Sequence, residues 1–157
     1  MDLKKAARQR IFDTAVRRTY KQGARCRRTN GYGVAYWGLG GMRSAVGHVL
    51  CPSLHREGYR VEELLKRVGY HLSKQKVELL KDLEWAHDRE FGGAFLAYFI
   101  EAAKAVAEKH GLEWKFSHFE HDWTHPRFPE ARTPVMPKPG DWYGWPDEHG
   151  HTRKEVA

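Results

Sequence analysis

Four residues in the segment "HFEHDWTH" have the types and spacing of a metal site: His118, His121, Asp122 and His125. On a helix the histidines, at i, i+3 and i+7, share one face, and His121 and His125 stand at the i, i+4 spacing of paired imidazole ligands. They are the candidates for zinc or another divalent metal, and so for a metal-dependent hydrolase or nuclease. Pro126 ends any helix at once, and the glutamate base of the helical zinc-protease pattern is missing. A protein without a cofactor is therefore the expectation, and metal chemistry the rival. A second pair, His87 and Asp88, could be a general base and its orienting carboxylate. Neighbours on a helix point about 100° apart, so Asp88 is poorly placed to orient His87. A structural histidine is the expected role.

Six glycines lie between Gly31 and Gly47, around Tyr36, Trp37 and Arg43. A phosphate loop would end in Gly-Lys-Ser/Thr and open a helix. Here "GLGGMRS" lacks that ending, and "AVGHVLCP" is short, rich in β-branched residues and closed by Pro52. The glycines are expected to shape a hairpin, with Arg43 and Trp37 presented at its tip for contact.

The strongest charge signal is at the N-terminus. Residues 1–28 hold ten basic side chains and two acids, a local charge of +8 in a 157-residue chain whose net charge is +7. Such asymmetry points to an acidic partner, nucleic acid or a protein. Arg10, Arg17, Arg18, Lys21, Arg25, Arg27 and Arg28, with Arg43, are the binding candidates. No helix-turn-helix, zinc-finger or RNA-recognition signature accompanies them, so sequence-specific reading is not expected.

The elements that must position these residues follow from periodicity. Residues 3–22 read as a helix with Phe12, Ala15, Val16 and Tyr20 inward and Gly23 at its end. "GVAYWG" and "RSAVGHVL" read as two strands joined at "LGGM". "VEELLKRVG" is a short helix, Ser73 opens a longer one through "LEWAHD", and residues 91–110 form the most apolar helix, expected to lie on the sheet. The fold class expected is α+β: a short antiparallel hairpin or sheet packed by three to four helices, residues 1–114 forming one domain. Residues 115–157, with six of the seven prolines, are expected to be an extended arm. Its Trp142, Tyr143 and Trp145 are candidates for partner contact or for a homo-oligomer clamp.

Cys26 and Cys51 make no disulfide framework and read as partly buried thiols in a reducing setting. No apolar run approaches the roughly 20 residues of a membrane span. The N-terminus lacks the apolar stretch of a secretory signal.

At Ala35-Tyr36-Trp37-Gly38, Ser44-Ala45-Val46-Gly47, Pro52 and Glu57-Gly58, followed by "LEWAHD" and "KHGLEW", the chain resembles a family of small proteins encoded by tailed bacteriophages and prophages. That family runs helix, Cys-Ala-Tyr-Arg-Gly, turn, Cys-Ala-Val-Gly, Pro, Glu-Gly, then a helix ending Leu-x-x-His-Asp. The likeness spans about residues 10–114. The family's hairpin cysteines correspond to Val34 and Ser44, so no chemistry of those cysteines carries over. The resemblance implies a phage origin, a small α+β fold, residence in the host bacterial cytoplasm and no catalytic residues. The resulting expectation is a non-catalytic binding protein that engages nucleic acid or a host or defence protein through its basic first helix. The metal-dependent enzyme is one alternative. A virion component lashed together by the C-terminal arm is the other.

Overall fold

The computed structural model describes residues 2–26, 36–38, 41–55, 58–88 and 95–120. Helix α1 runs Leu3–Gln22. Asp2 caps it, its Oδ1 accepting the Lys4 and Lys5 N–H groups at 3.0 and 3.1 Å. Gly23 ends it in the left-handed region, φ 72°, where a Cβ would be strained. Phe12, Ala15, Val16 and Tyr20 are all buried, the stripe expected from their spacing.

A short 3₁₀ turn, Pro52–Leu54, precedes α2, Val61–Arg67. Helix α3 is Lys74–Asp88, α4 is Phe95–Lys109, and α5 is the single turn Ser117–Glu120. Helix α3 is the hub and touches α1, α2 and α4, while α4 also packs on α1 and α5. Leu79, Leu80 and Leu83 of α3 meet Phe99, Ile100 and Ala103 of α4 in one core with Phe12 and Val16. Burial of these side chains, about 1.5–3 kcal/mol each for the larger ones, is the main stabilising term.

The α+β expectation is overturned. Among the described residues there is no strand, only one isolated antiparallel bridge between Trp37 and Arg43. The chain does reverse there, with Gly38 N–H donating to Met42 O at 2.8 Å and Gly41 N–H to Gly38 O at 3.2 Å. The second leg is helical turns instead of a strand. The Ser44 hydroxyl accepts the Gly47 N–H at 2.9 Å, His48 N–H donates to Ser44 O, and Leu50 N–H donates to Val46 O. Val46 and Leu50, at i, i+4, are both buried by this winding. A short apolar run fits a buried strand and a buried helical turn equally well, and Ser44 as a cap decides for the turn. Helix α4 lies on α3 and α1, and among the described residues no sheet receives it.

With no sheet among the described residues, two extended segments satisfy backbone groups against side chains of α1. Gln22 Oε1 accepts Arg43 N–H at 2.9 Å and its Nε2 donates to Arg43 O at 2.9 Å. Gln9 repeats the pattern on Glu113, with Oε1 accepting N–H at 2.9 Å and Nε2 donating to O at 3.0 Å. Each amide does what a neighbouring strand would do. The core continues past the domain boundary expected at Trp114: Phe116 and Phe119 are buried, and Phe119 stacks on Tyr20 at 3.6 Å.

Candidate functional site

Helix α1 carries a line of exposed cations. Arg10, Arg17 and Lys21 are exposed, and at about 1.5 Å rise per residue they span about 16 Å within one 40° arc. Lys4 and Lys5 are exposed at the start of the same helix. Arg17 leans over the Phe116 ring, 5.7 Å from its centre. Among the described residues no carboxylate pairs with Arg10, Arg17 or Lys21. Elsewhere several cations are neutralised locally, with Lys74 and Lys76 at the start of α3 as exceptions. Lys66 meets Glu62, Arg67 meets Glu63, Lys81 meets Glu62 and Glu78, and Lys109 meets Asp82. Among the described helices α1 carries by far the largest net positive charge.

The remaining basic candidates divide. Arg18 and Arg25 are half-buried, and the Arg25 guanidinium donates to the carbonyl of Asp88 at the C-terminal end of α3. Arg43 requires a correction: it is 1% exposed and is no tip residue. Gln22 holds its backbone against α1, and its guanidinium sits 5.1 Å from the centre of the half-buried Trp37 ring. Arg27, Arg28, His121, Asp122, His125, Trp142, Tyr143 and Trp145 lie outside the described residues. His118 is exposed on α5, its ring against Phe119. Among the described residues no group of three His, Cys, Asp or Glu side chains is arranged to hold a metal.

Behind this face lies a buried polar centre. Glu84 of α3 is 3% exposed and staples three segments together. Its Oε2 accepts the Tyr36 hydroxyl at 3.0 Å and the Val61 N–H, which opens α2, at 3.1 Å. Its Oε1 lies 3.5 Å from Arg60 Nη1. Desolvation raises the Glu84 pKa, against the hydrogen bond from Tyr36. Burial likewise raises the Tyr36 hydroxyl, and the adjacent Glu84 charge adds to it.

His87 is fully buried, and both of its nitrogens are engaged. Nε2 accepts the Cys26 N–H at 3.2 Å, which leaves the proton on Nδ1 to be donated to Asp88 Oδ1 at 2.9 Å. Asp88 does orient His87, contrary to the angular argument from sequence, because at the end of α3 its carboxylate folds back onto the ring. With both nitrogens committed, His87 is a structural residue with no free base to offer. Cys26 and Cys51 are buried and form no disulfide; the Cys26 thiol donates to Met42 O at 3.4 Å and Cys51 Sγ lies 2.7 Å from Ser53 Oγ.

His48 was not singled out by any spacing; a polar residue inside an apolar run was its only signal. It is 6% exposed, and its Nε2 has no hydrogen-bond partner. Burial holds its pKa well below the usual histidine range, reinforced by Arg43, Arg18, His87 and His55.

No described helix is long and apolar enough to cross a membrane. No family model matches the chain, and neither does any curated protein or solved structure.

Proposed function

We propose that this protein is a non-catalytic, phage-encoded binding module working inside the host bacterium, and that the exposed face of α1 engages the phosphate backbone of a nucleic acid. The single observation behind this reading is the line Arg10, Arg17 and Lys21, exposed and without a carboxylate partner among the described residues. Unpaired cations on a rigid helix are what a polyanion requires, since each neutralised phosphate releases condensed counterions. The absence of a recognised base-reading motif agrees with backbone contact alone.

The test is a salt series of binding to a generic duplex, read by fluorescence anisotropy. Wild type and the triple variant Arg10→Glu, Arg17→Glu, Lys21→Glu are compared between about 50 and 200 mM salt. Loss of three phosphate contacts lowers the slope of log K against log salt by about 2.7. All three residues are exposed, and only Arg17 touches a ring, that of Phe116, so circular dichroism of the variant should stay helical. An unchanged slope would refute the α1 face. No binding by wild type at low salt would move the partner from nucleic acid to an acidic protein.

A further inference from the structure

His118 is exposed on α5, and a run of ring contacts fixes α5 beside the cationic end of α1. Phe119 stacks on Tyr20, which lies between Arg17 and Lys21 in the chain, with ring centres 3.6 Å apart. Phe116 lies 5.1 Å from Phe119, and the Arg17 guanidinium sits over the Phe116 ring at 5.7 Å. The His118 ring meets Phe119 at 4.3 Å and 65°, an edge contact, and no parallel ring stacks on it among the described residues. An exposed imidazole in that state, beside a line of cations, is a platform for a flat π-system.

The packing of α1 limits what can approach it. From residue 6 to residue 22, Arg10, Arg17 and Lys21 are the only exposed positions. The rest of the helix is covered in whole or part, by α3, α4 and the segments held by Gln9 and Gln22. A helix about 10–12 Å across that enters a major groove about 12 Å wide needs most of its circumference free. Helix α1 offers a narrow strip instead, which suits a backbone laid along it. In a duplex the bases are stacked and paired, so their faces are closed to His118, whereas an unpaired base can be splayed onto a ring.

We infer that the surface formed by α1 and α5 takes single-stranded nucleic acid in preference to duplex, with Arg10, Arg17 and Lys21 on the phosphates and His118 under an unpaired base. This assignment rests on the proposed role of the α1 face and names the form of nucleic acid that the face prefers.

The experiment measures binding of the full chain to a labelled oligodeoxyadenylate of about 15 nucleotides, within the span one small domain covers, alone and annealed to its complement at the same low salt. The strand should bind more tightly than the duplex. His118→Ala should weaken strand binding about 5- to 10-fold, the low end for one stacked base, and leave duplex binding within about 2-fold. His118→Phe, which keeps a ring and carries no charge, should restore strand binding. His118→Gln serves as the ringless variant if Ala perturbs α5. Duplex bound as tightly as strand, or strand affinity unaltered in the ringless variant, would overturn the inference. If Arg10→Glu, Arg17→Glu, Lys21→Glu still weakens both probes in that case, the α1 face stands without it. Equal losses on both probes with no rescue by Phe would make His118 a phosphate contact and overturn the inference as well. Strand and duplex binding both untouched by the triple variant would remove the α1 face and this inference together.

Discussion

Gln22 and Gln9 offer a controlled comparison of the same interaction in two environments. Each amide accepts one backbone N–H and donates to the same residue's C=O, at 2.9 and 2.9 Å on Arg43 and 2.9 and 3.0 Å on Glu113, and each Nε2 makes one further bond at 2.8 Å, from Gln22 to Ala24 O and from Gln9 to Asp13 Oδ1. Gln22 is 5% exposed, whereas the Gln9 bonds to Glu113 are exposed. Truncating Gln22 to Ala strips the buried Arg43 N–H and C=O of these partners. Each such loss costs about 1–3 kcal/mol, so the pair costs about 2–6 kcal/mol before any water enters. At Glu113 water replaces the amide, and Gln9→Ala should cost about 1 kcal/mol or less. Gln22 is the last residue of α1 and Gln9 an interior one, so the propensity gain from Ala, about a few tenths of a kcal/mol at its largest, favours Gln9→Ala and is small beside the predicted difference. Gln22→Glu separates shape from chemistry. It keeps an acceptor for the N–H but sets a carboxylate oxygen against the Arg43 carbonyl, so it should be about as damaging as Ala. The assay is urea unfolding with linear extrapolation, with the slope required to stay constant so that ΔΔG refers to the native state. Losses for Gln22→Ala and Gln9→Ala within about 0.5 kcal/mol of each other would refute the claim that burial of this clamp holds residues 41–50 on α1.

Other expectations follow from single contacts. A Cβ at Gly47 would lie 2.1 Å from the Tyr36 carbonyl oxygen, backbone against backbone, so Gly47→Ala should cost about 3 kcal/mol or more in chemical denaturation. A loss under about 0.5 kcal/mol would mean the 36–38 segment does not press on the 44–50 turns. For His48 the folded pKa lies below the unfolded value of about 6.5, so its contribution is present above that pH and is lost as pH falls, at up to about 1.4 kcal/mol per unit. His48→Gln should flatten stability against pH between about 6.5 and 5.5, and a slope unchanged in the variant would assign it to another group. Glu84 has the opposite sign. Its raised folded pKa favours the protonated form, so stability is full below the unfolded value and falls as pH rises through the folded one. Glu84→Gln should therefore remove that decline while keeping an acceptor for Tyr36 and Val61. A variant whose stability still declines over that range would show that the buried charge is not its source.

Much of the local structure was legible in the chain. The bounds of α1, its inward stripe and the left-handed end at Gly23 all appear where periodicity and capping chemistry put them. Those signals lie within one or two turns, and the side chains that produce them touch their own helix. The concentration of positive charge on α1 is likewise a property of composition, and the exposure of Arg10, Arg17 and Lys21 follows from their arc opposite the core.

The tertiary structure decided what depends on a distant partner. "RSAVGHVL" carries its own cap in Ser44, but a distant neighbour places its turns against the core. The neighbour is Gln22, an α1 amide twenty-one residues from Arg43, together with the Tyr36 carbonyl resting on Gly47. The same contacts took Arg43 from an expected exposed tip into the interior. They also enclosed His48, which no motif marks. Backbone pairing across such separations carries no period in the sequence. An amide that substitutes for a strand looks, residue by residue, like an ordinary polar position on a helix, so only the packed chain could assign it.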